Sequence, residues 1–290
     1  MRLSAPNFDL QLALNSGQLF NWHAHQGSYY LPHGENLLKL SKQGNTLEFE
    51  AFANAGGNES KLLPSASSKA VVQKLFNFHR NYASEVAHLA HHPALEQSIK
   101  QCPGLAITKQ EPWECLLSFV LTQNSNIPRI RQNILDLSQK YGEKIAVDGA
   151  KFSFFPTAQK LAQAKEGDLV KLRLGYRAQY LSSIAKSVSQ NGFDLQKVYS
   201  QQFPDAKETL MELEGIGPKV ADCVLFFGYG FEQAFPIDTW LRQVMQKHYF
   251  GGEKGKPATD KKIGEFAEKE FGQKAGIVHE YFFANRQNLV

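Results

Sequence analysis

The stretch Leu213-Glu214-Gly215-Ile216-Gly217-Pro218-Lys219-Val220-Ala221-Asp222-Cys223 limits the fold more than any other part of the chain. Thr209 to Glu214 before it and Val220 to Phe227 after it carry helical spacing, so the segment reads as helix, glycine hairpin, helix at about 205–228. Two glycines one residue apart let the backbone turn sharply and approach another molecule closely, and the second helix aims unpaired N-terminal N–H groups beside the turn. A phosphate suits that position, which makes Gly215 and Gly217 candidate phosphate-binding residues. A bare Gly-x-Gly is equally a tight helix turn with no ligand. The longer pattern, with Leu213 before the glycines and the small Ala221 after them, is the helix-hairpin-helix pattern, from which sequence-independent contact with a DNA backbone is expected.

Lys219 falls in the first turn of the second helix, where the positive end of the helix dipole disfavours an ammonium and favours a nucleophilic amine. Nineteen residues on comes Phe235-Pro236-Ile237-Asp238-Thr239-Trp240, with Asp238 just ahead of the amphipathic run Trp240, Leu241, Val244, Met245. A helix of roughly 9 residues climbs about 14 Å, and an extended return of roughly 8 residues covers that distance. Both side chains can then face one pocket as a catalytic pair. Read singly, Asp238 is an apt helix N-cap and Lys219 a solvated first-turn lysine.

Residues 1 to about 58 read as strands and turns, with Leu38-Lys39-Leu40 and Thr46-Leu47-Glu48-Phe49-Glu50 alternating around Gly44-Asn45. Ala51 to Ser68, with Gly56-Gly57-Asn58-Glu59-Ser60 and Pro64-Ser65, has the composition of a surface loop. From Ser68 the spacing turns helical and returns at intervals nearly to Val290. Pro112 precedes a helix from Trp113 to Thr122, Pro128 one from Arg129 to Tyr141 with Gly142 as its stop, and Tyr176–Gln190 and Thr239–Phe250 are further candidates. Strands first and helices afterwards predict an α+β architecture: an N-terminal α+β domain with an antiparallel sheet, residues 1–105, packed on a mainly α-helical domain, residues 106–290.

Composition narrows the class. The chain has 290 residues, 42% hydrophobic and 21% charged, which fits an ordinary globular protein of two fused domains. It carries no apolar run of about 18 residues and no basic start followed by an apolar segment, so no membrane partner is expected. An intracellular place follows: cytoplasmic and nucleoid-associated if the source is bacterial, nuclear if eukaryotic. Cys102, Cys115 and Cys223 are too far apart for a disulfide framework or a four-thiolate metal or iron-sulfur site, and a catalyst without metal or cofactor is expected. The net charge of +4 is compatible with nucleic acid but does not by itself select it.

The hairpin, the lysine after it and the aspartate nineteen residues on resemble the helix-hairpin-helix base-excision DNA glycosylase superfamily, and the flanking segments resemble its 8-oxoguanine DNA glycosylase / AP lyase branch over nearly the whole chain. The resemblance implies that Lys219 attacks the sugar C1′, expels the base and passes through a Schiff base to β-elimination, with Asp238 stabilising the developing sugar cation. Leu121-Thr122-Gln123-Asn124-Ser125-Asn126-Ile127-Pro128-Arg129-Ile130 is similar to the family's gap-filling loop, which implies Asn124 in the vacated space and Arg129 on the orphaned cytosine. Leu174-Gly175-Tyr176-Arg177-Ala178-Gln179-Tyr180 matches a stretch in which Tyr176 wedges beside the opposite base and Arg177 bonds to it. Otherwise Asn124 and Asn126 are caps, and Tyr176 and Arg177 ordinary helix-start residues.

Asn15-Ser16-Gly17-Gln18-Leu19-Phe20-Asn21-Trp22 resembles the motif whose glycine carbonyl, here Gly17, accepts the N7–H that distinguishes 8-oxoguanine from guanine. Cys223 and Phe283 match positions that sandwich the flipped base, and either is equally a core residue. The sequence departs from the family twice: His279 stands where many members carry a glutamine that reads the base, and Trp240 replaces a histidine common after the aspartate. A neutral His279 donates or accepts one hydrogen bond and cannot reproduce a carboxamide's paired pattern. The expected partner is double-stranded DNA containing a damaged base, with a monomer as the default. Two alternatives stand beside it: a glycosylase for another damaged base, such as an alkylated purine, and a helix-hairpin-helix DNA-binding protein without catalysis.

Overall fold

The computed structural model describes residues 1–290 apart from 57, 58, 78, 191 and 253–255. The chain opens with β1 (Arg2–Ser4), the short helix α1 (Leu10–Asn15) and the strands β2 (His23–His25), β3 (Ser28–His33), β4 (Asn36–Gln43), β5 (Thr46–Gly56) and β6 (Glu59–Leu62). They form one antiparallel sheet in the order β1-β5-β4-β3-β2, with β6 also on β5. Alternation along β4 and β5 turns Leu38, Leu40, Leu47, Phe49 and Ala51 inward, where they pack with Leu14 of α1 and with Val72, Leu75 and Phe76 of α2 (Ser65–Phe76). Gln43 pairs with Thr46 across the two-residue Gly44-Asn45 turn, where Gly44 has φ +54.

The stretch from Ala51 to Ser68 is not a surface loop. β5 runs on through Gly56, β6 pairs back onto it, and α2 begins at Ser65. Small and polar residues hide this strand from a composition reading, because its backbone partners in β4 and β6 rather than its side chains hold it. The expected turn residues 57 and 58 lie outside the described residues. The helix α1 was also unanticipated; Asp9 caps it, Oδ1 accepting from the Leu12 amide at 2.9 Å.

The helical part follows as α3 (Tyr82–Glu85), α4 (Pro93–Gln101), α5 (Pro112–Val120) and α6 (Ile127–Tyr141). Proline opens α4 and α5 and stands in the first turn of α6, where Asn126 also caps by accepting from Arg129 N at 3.0 Å. A hairpin, β7 (Lys144–Val147) and β8 (Ala150–Ser153), interrupts the helical series that the sequence led us to expect there. Val147 pairs with Ala150 across Asp148 and Gly149, both at positive φ, and Phe152 stacks on Tyr30 of β3 at 4.5 Å. Asp148 accepts from the Tyr30 hydroxyl at 2.5 Å and from Lys39 at 2.6 Å, so the hairpin is fastened to the main sheet.

The chain continues through α7 (Ala158–Ala162), α8 (Glu166–Val170), α9 (Arg177–Ser189), α10 (Phe203–Met211), α11 (Pro218–Val224), α12 (Thr239–Tyr249), α13 (Asp260–Phe271), α14 (Ala275–Ala284) and α15 (Arg286–Leu289). Their apolar faces share one core, in which Leu117, Val120, Ile134, Leu181, Val224, Val244 and Tyr281 are buried. Ala94 and Leu95 of α4 and Phe20 of the N-terminal segment belong to this core too, so residues assigned from sequence to the first domain help to build the second. Buried Glu114 on α5 crosses to the sheet, accepting from Gly34 N at 2.9 Å. No helix among the described residues is long and apolar enough to cross a membrane.

Candidate active site

The glycine hairpin lies between α10 and α11. Gly215 has φ +82, and a Cβ there would stand 2.3 Å from Cγ of Tyr180, so conformation and space both demand glycine. Gly217 has an ordinary φ of −95 and caps α11; a Cβ on it would meet nothing within 4 Å. Its backbone is therefore open to an approaching molecule, beside the unpaired amides at the start of α11. Gln123 Nε2 donates to the Gly215 carbonyl at 3.2 Å and ties the hairpin to the loop after α5.

Lys219, in the first turn of α11, donates from Nζ to Thr122 Oγ1 at 3.0 Å and lies 5.4 Å from the centre of the Phe119 ring. Thr122 in turn donates to the Phe119 carbonyl at 2.7 Å. Asp238 is the N-cap of α12, with Oδ1 accepting from Leu241 N at 2.7 Å, so the capping role is real and leaves Oδ2 for other work. Both side chains line one cleft of about 680 Å³, together with Gly17, Asn124, Cys223, His279 and Phe283. A neighbouring cleft of about 1000 Å³ shares Gln123, Lys219, Ile237 and Arg242 with it and runs past Gly217, Lys207 and Lys261, but Asp238 and the other five do not line it. Only the smaller space holds Lys219 and Asp238 together.

Its inner end is uncharged. Burial pushes the Cys223 thiol up to about 12, against the weaker opposing effect of Lys219. Burial likewise holds His279 down to about 4 despite the nearby Asp238 carboxylate, so the imidazole is neutral at pH 7. The His279 ring lies nearly parallel to Phe283 with centres 6.0 Å apart, and its buried Nδ1 has no hydrogen-bond partner. Gly17 has φ +94, and a Cβ on it would stand 2.6 Å from Cε1 of Phe283. Trp240, 42% exposed, lies at the rim.

Asn124 projects at the surface with φ +46 and donates from Nδ2 to the hydroxyl of the exposed Tyr176 at 3.0 Å. Arg129 is exposed and reaches the Arg173 carbonyl at 3.3 Å. Arg177 departs from the expectation of a base-contacting side chain. It is 3% exposed, and its guanidinium donates to the carbonyls of Gln123, Asn124 and Leu174. Here Arg177 shapes the Asn124 loop from beneath, and Tyr176 and Arg129 are the parts of that surface presented outward.

Among the cleft residues that escaped the sequence reading as site residues are Phe20, Phe119, Thr122 and Glu280. Phe119 stacks on Phe227 at 5.4 Å and meets Phe20 edge-on at 6.1 Å, which fixes the ring beneath Lys219. Only their tertiary neighbours give these residues a role. Among the described residues, His91, His92 and Glu270 are close enough to share a metal ion, but none of them lines either cleft.

Residues 1–116 match the family model described as 8-oxoguanine DNA glycosylase, N-terminal domain, and residues 117–269 match HhH-GPD superfamily base excision DNA repair protein. The chain is 27% identical over 316 residues to a Methanothermobacter thermautotrophicus protein described as "Probable N-glycosylase/DNA lyase", covering 100% of this chain and 97% of that one. It is 29% identical over 262 residues to the N-glycosylase/DNA lyase of Saccharomyces cerevisiae, covering 81% and 67% of the two chains. The Clostridium acetobutylicum 8-oxoguanine glycosylase/lyase, solved with double-stranded DNA containing cytosine opposite 8-oxoguanine, superposes with a TM-score of 0.87 at 29% identity, covering 98% and 94%. With both parts of the chain matched, and the lysine that follows the hairpin brought to one cleft with the aspartate, the chain belongs to the HhH-GPD superfamily of base excision DNA repair proteins, in its 8-oxoguanine DNA glycosylase branch.

Proposed function

We propose that the protein excises 8-oxoguanine opposite cytosine from duplex DNA and then nicks the strand by β-elimination. The observation that carries this reading is the placement of Lys219 and Asp238 on one cleft whose inner end, Cys223, His279 and Phe283, is uncharged. A flipped base enters that end with its faces against the thiol and the phenyl ring, and the Gly17 backbone beside Phe283 receives the N7–H of the oxidised purine.

The Lys219 amine forms a bond to C1′ as the C1′–N9 bond breaks and its electron pair leaves with the base. Loss of the amine proton and opening of the sugar give the Schiff base; removal of a C2′ proton then expels the 3′ phosphate oxygen and nicks the strand. The Asp238 carboxylate offsets the positive charge that develops at C1′ and the ring oxygen. Asn124 enters the gap left by the base, Tyr176 supports it, and Arg129 meets the orphaned cytosine. Gly217 and the start of α11 hold a backbone phosphate.

His279 keeps a second reading open, because one imidazole cannot duplicate the two-point contact of a carboxamide: the pocket would take another damaged purine with the same chemistry. Single-turnover base release from duplexes carrying 8-oxoguanine opposite each of the four bases, or an alkylated purine opposite its partner, separates the two. Fastest release of 8-oxoguanine opposite cytosine is expected; preferential release of the alkylated purine overturns the lesion assignment and leaves the lysine chemistry standing.

A further inference from the structure

Glu280 is 1% exposed, lines the cleft, and takes no part in the chemistry above. It follows His279 on α14, about 100° further round the helix, so it is turned away from the His279 and Phe283 stack. Its carboxyl meets instead the side chains of Ser16 and Gln18, the two residues that flank Gly17. That loop is otherwise tightly tied. Gln18 is fully buried, donating from Nε2 to Ser16 Oγ and to the Ala106 carbonyl, both at 2.9 Å, while its Oε1 accepts from Thr108 N at 2.8 Å. Gln110 Nε2 donates to the Gln18 carbonyl at 2.8 Å.

Resting on the reading that the Gly17 backbone recognises the lesion, we propose that Glu280 is a positioning residue for that recognition: its carboxyl, set against Ser16 and Gln18, fixes the backbone that faces the base. The group must be uncharged to do so. Oε1 is buried with no hydrogen-bond partner, a state a carbonyl oxygen of the acid tolerates far better than a carboxylate. Burial raises the acid to about 8; Ser16, Gln18 and the Arg286 guanidinium oppose the rise, and the Asp238 carboxylate adds to it. The buried Cys102 thiol, at the end of α4, also lies within its field. Ionisation at alkaline pH places an unsolvated charge against Ser16-Gly17-Gln18 and loosens the loop.

The test compares wild type, Glu280→Gln and Glu280→Ala on two duplexes, one with 8-oxoguanine and one with an abasic site, each opposite cytosine, between pH 6.5 and 9. The readout is the ratio of the two single-turnover rates, since an abasic site offers no base for Gly17 to read. In the wild type this ratio falls at least tenfold from pH 7 to pH 9; in Glu280→Gln, which keeps an uncharged hydrogen-bonding group, it stays level; in Glu280→Ala it is at least tenfold low throughout. Wild-type ratios and pH dependence in both variants overturn the proposal.

Hydrogen-exchange protection of the Gly17 and Gln18 amides, corrected for intrinsic rate, reads the loop without any lesion and also covers failure of the alanine variant to fold. Protection that drops in wild type at pH 9 and holds in Glu280→Gln supports the proposal, and equal protection in the two at both pH values overturns it. If the wild type releases no 8-oxoguanine yet shows this pattern, the lesion reading falls while the positioning of the loop by Glu280 stands.

Discussion

Lys219 Nζ donates to Thr122 Oγ1 at 3.0 Å, and Thr122 has already committed its own proton to the Phe119 carbonyl at 2.7 Å. The threonine oxygen can therefore only accept from the lysine, and this contact commits one N–H of the amine. Thr122→Val removes this tether while keeping the shape. The expected result is a Schiff base formed ten- to a hundredfold more slowly, about 1.5–3 kcal/mol of activation free energy, with the melting temperature little changed. A wild-type rate of borohydride trapping in the variant would show that the contact does not orient the amine.

The two hairpin glycines should behave oppositely. Gly215→Ala forces a side chain into the Tyr180 ring from a left-handed backbone, so it should cost several kcal/mol and melt early. Gly217→Ala meets no atom of the chain and has no strained backbone, so it should fold normally and weaken DNA binding where a phosphate approaches. Thermal melts paired with binding to an undamaged duplex distinguish the two; loss of stability in both variants would contradict the assignment of Gly217 to an external contact.

Arg177 and Arg129 should separate in the same way. Removing the buried Arg177 leaves the carbonyls of Gln123, Asn124 and Leu174 without their donor, so Arg177→Ala should lose about 3 kcal/mol of stability and most excision activity with it. Arg129→Ala should unfold within about 0.5 kcal/mol of wild type and lose preference for cytosine opposite the lesion. An Arg177→Ala protein with wild-type stability would restore a base-contacting role for that arginine.

His279 and Glu280, neighbours on α14, bend the stability–pH curve from opposite sides. The folded imidazole sits at about 4 against 6.5 unfolded, so its contribution is complete above pH 6.5 and is lost as pH falls toward 4, about 3 kcal/mol in all. The folded carboxyl sits at about 8 against 4.5, so its contribution is complete below pH 4.5 and is lost as pH rises toward 8, about 3–5 kcal/mol. His279→Gln should flatten the acid limb and Glu280→Gln the alkaline limb. Urea denaturation from pH 4 to 9 checks both, and unchanged limbs would mean that neither group titrates on unfolding.

The parts of the site that were legible in the sequence are those whose chemistry is local. Gly215, Gly217 and Lys219 sit on one short hairpin, and the return to Asp238 is short enough for chain geometry to bring the pair together. Thr122, Phe119 and Glu280 were not legible, since a threonine at a helix end, a phenylalanine in an apolar run and a glutamate beside a histidine take their roles from segments about 100 or more residues away. The buried setting of Arg177 was not legible either, because sequence position cannot tell an arginine aimed outward from one folded beneath a loop. The β7–β8 hairpin did have a local signal: Asp148-Gly149 is a residue pair suited to a turn with two positive φ values, and the helical punctuation on either side obscured it.

The mechanism depends on covalent attachment of the Lys219 amine to the sugar under an oxidised guanine. Wild type and Lys219→Gln, each incubated with a duplex holding one 8-oxoguanine opposite cytosine, treated with borohydride and run on a denaturing gel, address it most directly. A protein–DNA adduct in the wild type, absent in a folded Lys219→Gln, is the predicted result. An adduct of equal yield in both proteins, or base release without any adduct in the wild type, would contradict it.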